Sequence, residues 1–145
     1  MSRYHINRVE QCATGKEAME SGDIKPTVFV IDDEEIIRDM TTDMLTDMGY
    51  NVLTSGDGEQ AIQLFQGVSN DINVVLLDMI MPGLSGPEIL TELQRIKPDI
   101  KVILSSGFSI EEVPQHILAQ ENTDFIEKPY RLNELLDKIK HCVNL

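Results

Sequence analysis

Apolar residues along this chain fall into two kinds of stretch that take turns. Short unbroken runs, rich in β-branched and large aliphatic residues, occur at 27–31, 50–54, about 73–78, 101–106 and 124–127. Runs without polar alternation, closed by Gly, Pro or acidic residues, mark strands buried on both faces. Between them apolar positions recur every three or four residues, the period of a helix with one buried face. Ile37, Met40, Met44 and Met48 form the first such face, ended by Gly49. Ala61, Leu64, Phe65 and Val68 form the second, after a Ser-Gly-Asp-Gly turn. Ile89, Leu90, Leu93 and Ile96 form the third; it begins after Pro87 and stops before Lys97-Pro98, because the residue preceding a proline is pushed out of helical space. Leu132, Leu135, Leu136, Ile139 and Val143 form the last. The segment 110–120 predicts only a weak helix, since Pro114 falls where it would break the first full turn.

Five alternations of strand and helix imply βαβ units with right-handed crossovers. The expected fold is therefore α/β, a five-stranded parallel doubly wound sheet spanning residues 26–145. Residues 1–25 hold no sustained period, contain Gly15 and Gly22, and end at Pro26; they predict an arm, a linker or at best a short helix.

Charge narrows the partners. The chain of 145 residues carries a net −13. In residues 1–25, Arg3, Arg8, Lys16 and Lys25 balance Glu10, Glu17, Glu20 and Asp23, so the whole excess lies in 26–145. Such a body should repel nucleic acid and anionic membranes, whose binding rests on basic patches. No apolar run is long enough to span a membrane, and the N-terminus lacks a signal-like apolar stretch. Cys12 and Cys142 stand at opposite ends and suggest neither a disulfide framework nor a metal site, so a reduced cytoplasmic protein is expected.

In an open parallel sheet, chemistry collects at the carboxyl ends of the strands. Strands one, three, four and five would deliver Asp32 and Asp33, Asp78, Ser106 and Lys128 to one crevice. Each alone has an ordinary explanation: a helix cap, a turn-capping Asp, a small strand-end residue, a solvated lysine. Their coincidence at four strand ends does not. Carboxylates about 4–6 Å apart repel by several kcal/mol at an effective dielectric near 20, so they share protons or take up a cation. An all-oxygen set favours a hard ion such as Mg²⁺ over zinc. Lys128 can hold a phosphate oxygen and Ser106 can donate to one. The set suits phosphoryl transfer to Asp78.

With Asp32-Asp33 after strand one, Asp78 followed by Met81-Pro82 and Gly86, Ser106-Gly107 and Lys128-Pro129, residues 26–145 resemble a two-component response-regulator receiver domain. The spacings fit that family too: 28 residues from Asp78 to Ser106 and 22 from Ser106 to Lys128. The resemblance implies a flavodoxin-like sheet of order 2-1-3-4-5 with five helices. It also implies that Asp78 accepts a phosphoryl group from a histidine kinase or a histidine phosphotransfer domain. Mg²⁺ (or Mn²⁺) would be held by Asp33, Asp32, Asp78 and the backbone carbonyl of Ile80. Ser106 and Phe125 would switch on phosphorylation, Lys128 would pair with the phosphoryl group, and the Lys128–Pro129 bond would be cis. Ile80 and Phe108 would flank the path of attacking water. Both are apolar, so slow self-dephosphorylation is expected. The face made by 110–120, strand five and the last helix is the expected output surface, for a downstream protein or a second copy. His5, His116 and His141 fall outside the crevice pattern.

Rival readings fit less well. A haloacid-dehalogenase-type phosphatase needs a second Asp two residues after the nucleophile, where Ile80 stands. A nucleotide- or flavin-binding domain needs a Gly-rich loop after strand one, where Asp32-Asp33-Glu34-Glu35 is of the wrong charge. A degenerate receiver serving only as an interaction module would lack a key residue, and none is missing. With no output segment after Leu145, a stand-alone regulator and the receiver of a hybrid histidine kinase, linked through residues 1–25, are both expected possibilities.

Overall fold

The computed structural model describes residues 25–107 and 109–143, so the expectations for the arm before Lys25 and for Phe108 lie outside it. Strand β3 (Val74–Asp78) is buried throughout and holds the centre of the sheet. β1 (Thr27–Ile31) and β4 (Lys101–Ser106) flank it, with β2 (Asn51–Ser55) and β5 (Thr123–Glu127) outermost. The order is β2-β1-β3-β4-β5 and every pairing is parallel. All five carboxyl ends therefore share one edge.

Alternation along the strands separates two apolar layers. Phe29, Ile31, Val75, Leu77, Val102, Leu104 and Phe125 face α2 (Gly58–Val68), α3 (Gly86–Ile96) and α4 (Gln115–Leu118). Val28, Val30, Val74, Leu76, Ile103 and Ile126 face α1 (Glu35–Asp47) and α5 (Leu132–Val143). Because side chains on successive strand residues point to opposite faces, a strand covered on both sides must be apolar at every position. That is the unbroken pattern in the sequence.

Local signals set the helix starts. Asp57 caps α2 by accepting from the Gln60 N–H. Ser85 and Glu88 form a reciprocal capping box at α3, with Pro87 in its first turn, so the helix starts at Gly86 rather than after the proline. Lys97, at the end of α3, donates from Nζ to the carbonyls of Ser69 and Ile72, both at 3.0 Å, and ties α3 to the 3₁₀ turn Ser69–Asp71. No helix among the described residues is long and apolar enough to cross a membrane.

One sequence expectation needs correction and two gain detail. In α1 the buried residues are Thr41 and Leu45, whereas Met40 and Met48, assigned to the inner face, are 44% and 50% exposed. The helix is rotated because the buried position at 41 is polar and finds its partner far along the chain, which an apolar period does not register. In 110–120 the chain makes a 3₁₀ turn at Ile110–Glu112, and α4 is a single turn starting after Pro114, which caps rather than breaks it. In α5 Leu135 and Ile139 enter the core and Leu136 and Val143 pack against it, as expected, while Cys142 joins them as an unexpected core residue. Cys142 behaves as a small apolar residue.

Candidate functional site

Four strand ends and one loop build the crevice. Asp32 directly follows β1, and its backbone N–H donates to the Ser55 carbonyl at 3.0 Å, carrying the β1–β2 pairing one residue past the strand. Asp78 is the last residue of β3 and sits opposite Ser105 in the register. The next residue continues the ladder, with the Met79 N–H on the Ser105 carbonyl at 2.9 Å. The Lys128 N–H then donates to the Ser106 carbonyl at 2.7 Å, which fixes where its side chain starts. The Lys128–Pro129 peptide bond is cis.

Lys128 reaches across the sheet edge. Its Nζ lies 2.8 Å from Asp32 Oδ2, 3.3 Å from Asp78 Oδ2 and 3.4 Å from Glu34 Oε1. Asp32 uses its other oxygen to accept the Glu34 N–H at 2.9 Å, and Asp78 Oδ1 accepts the Ile80 N–H at 3.1 Å. Asp33 is exposed, whereas Asp32 and Asp78 are buried; one oxygen from each of the three lies within 4.8 Å of the others. All the donors are carboxylate oxygens, so the set fits a hard divalent cation such as Mg²⁺.

One ammonium among several carboxylates leaves a mixed electrostatic result. Burial pushes the Asp78 pKa up; the Ile80 N–H opposes this, nearby Asp32 reinforces it and Lys128 opposes it, with a net value of about 6. Burial pulls Lys128 down, but the hydrogen bond and charge of Asp32, followed by Asp78, outweigh it and hold the amine above the ordinary lysine range. Lys128 is therefore firmly cationic while Asp78 is only partly relieved, since the shorter contact goes to Asp32.

The loop after Asp78 is held by close backbone approach. A Cβ on Gly86 would come 2.5 Å from the Met79 Cα, and the Gly86 N–H donates to the Met79 carbonyl at 3.0 Å. Gly83 turns the loop at φ +85°. Ile80 stands at the mouth, 63% exposed.

The structure thus brings Asp32, Asp33, Asp78 and Lys128 together, with Ser106 buried at the adjoining strand end and Phe125 buried on β5. Sequence reasoning missed Glu34 as a third partner of Lys128. It also missed Arg38, whose Nη1 donates to the Asp32 carbonyl at 2.8 Å and whose guanidinium occupies the space a side chain at Gly56 would need. Glu34 adjoins the acidic pair and could have been suspected; nothing in the sequence signals Arg38.

Residues 28–140 match the family model of the response regulator receiver domain. The chain is 35% identical over 116 residues to response regulator RR06 of Streptococcus pneumoniae, covering 80% of this chain and 52% of that protein. It is 30% identical over 117 residues to sensor kinase CckA of Brucella abortus, covering 81% of this chain and 12% of the kinase. It therefore spans only part of the length of either relative. Among solved structures it resembles response regulator TrrA of Thermotoga maritima in complex with Mg²⁺ and BeF, with a TM-score of 0.70 and 32% identity over 81% of this chain and 98% of that one.

Proposed function

This chain belongs to the response regulator receiver family, and on that premise we propose that it is a phosphoacceptor switch whose acceptor is Asp78. The observation that carries the reading is Lys128 Nζ bridging Asp32 and Asp78 beside the three-carboxylate cluster. In the proposed step an Asp78 carboxylate oxygen attacks the phosphorus of a phosphohistidine. The P–N bond breaks, its electron pair returns to the imidazole, and an acyl phosphate is left on Asp78. The donor is a histidine kinase or a histidine phosphotransfer domain, and the same chemistry serves a free-standing regulator or the receiver of a hybrid kinase. The chain acts on itself alone, with no separate substrate to turn over.

Asp32, Asp33, Asp78 and the Ile80 carbonyl would hold Mg²⁺ (or Mn²⁺), which would supply positive charge to the phosphoryl oxygens. The rest falls to the chain's own groups. Lys128 leaves its contact with Asp78 for the new phosphoryl group. Ser106 donates to that group, and its movement lets Phe125 repack beneath α4. The altered face of α4, β5 and α5 then meets a downstream protein or a second copy.

Intact mass after incubation with acetyl phosphate and Mg²⁺ tests the reading. One added phosphoryl group is expected, absent in Asp78→Asn and in a metal-free control. Addition that persists in Asp78→Asn would overturn the assignment.

A further inference from the structure

Among the described residues the buried polar side chains are Asp32, Asp78, Ser105, Ser106 and Thr41. Four of these stand at the sheet edge that forms the crevice. Thr41 does not: it lies in the middle of α1, fully buried beside the apolar layer that contains Leu45. Its hydroxyl is 2.8 Å from the Tyr130 hydroxyl, 89 residues away, and either can donate. Burial raises the Tyr130 pKa, and the Thr41 bond opposes that only in part, so the phenol stays protonated. Its ring packs against the same apolar layer.

Tyr130 is two residues beyond Lys128. The turn carrying both is pinned at one end by the Lys128 N–H on Ser106 and at the other by this hydroxyl pair. The helix that receives the second pin also holds the Asp32 backbone through Arg38. α1 is thus the common reference for the acid that Lys128 meets at 2.8 Å and for the turn that presents it. Packing of the Tyr130 ring alone would keep the residue near α1. The directional bond from the half-buried Tyr130 hydroxyl to the buried Thr41 hydroxyl adds a constraint on its depth, and through the short turn on the reach of Lys128.

We infer that Tyr130 and Thr41 are positioning residues for phosphoryl transfer, their hydroxyl pair holding the Lys128–Tyr130 turn so that the ammonium meets Asp32 and Asp78. The inference rests on the phosphoacceptor reading above. Tyr130→Phe removes one oxygen and keeps the ring, so it carries the test even should a Thr41 variant fold poorly. With acetyl phosphate and saturating Mg²⁺, Tyr130→Phe and Thr41→Val should each slow Asp78 phosphorylation roughly five- to twentyfold, since small misplacements of a catalytic group cost rate steeply. Mg²⁺ affinity by calorimetry should change less than twofold, because the carboxylates are held by other bonds. Thr41→Ser, which keeps the hydroxyl, should react at nearly the wild-type rate, and the double variant should be no slower than the slower single. A lowered melting temperature with an unchanged phosphorylation rate would show a tie that only stabilises the fold, and would overturn the inference. Failure of the wild-type chain to gain a phosphoryl group would instead overturn the reading beneath it.

Discussion

Asp78 pays for its position at the end of a fully buried strand, because its charge is desolvated and Lys128 is shared with Asp32. Its pKa near 6 lies above the ordinary aspartate value of 3.8, so between those limits the folded chain binds a proton more tightly than the unfolded chain. For a carboxyl raised in this way, stability falls as pH rises through the window and stays low above it. Asp78→Asn should therefore stabilise the metal-free protein at pH 7–8 by roughly 1–3 kcal/mol, with the gain shrinking below about pH 6 and gone near pH 4. Urea unfolding at several pH values measures this. Equal stability of wild type and variant at pH 8 would contradict it. Burial and repulsion from Asp32, only partly offset by Lys128, make the crevice favourable to a cation that could share the carboxylate charge.

At the scale of elements, α1 shows how a periodic reading can be right about a helix and wrong about its face. Leu45 is fully buried, while Met48 is half exposed. Leu45→Ala should cost about 2–5 kcal/mol, whereas Met48→Ala should stay within about 0.5 kcal/mol. Denaturant midpoints of the two variants decide it, and comparable losses would restore the sequence-based face. With Ile36 78% exposed, α1 presents apolar surface to solvent close to the crevice. α4 differs from its neighbours in another way. It is four residues long, between a 3₁₀ turn and β5. Segments with few internal hydrogen bonds open first. Amides of 110–120 should therefore exchange with deuterium faster than those of α3 or α5, as a switching segment requires. Protection matching α3 would count against assigning the output face there.

For the molecule as a whole, the parallel sheet gathers the reactive groups on one edge, while two apolar layers hold that edge rigid. Lifetime of the phosphorylated state is a property of that assembled crevice. Ile80 offers an exposed apolar side chain at its mouth and no group to orient water. The acyl phosphate should accordingly persist for minutes or longer, followed by intact mass after removal of acetyl phosphate; loss within seconds would defeat the expectation. Much of this architecture was legible in the chain itself. Buried parallel strands need apolar residues at every position, and turns need Gly, Pro and capping residues, so strand number, helix count and which polar residues stand at the strand ends can all be read from order and composition. Helix phase and the supports of the site could not. Thr41 is buried because Tyr130 meets it from 89 residues away, and Arg38 reaches the Asp32 carbonyl through space rather than along the chain. Lys128 likewise divides its charge among Asp32, Asp78 and Glu34 only once the parallel sheet brings the carboxyl ends of β1, β3 and β5 to one edge. Local pattern determines which residues are available, because it records single-residue preferences. Tertiary structure decides which polar groups satisfy one another, because those bonds join positions with no periodic relation.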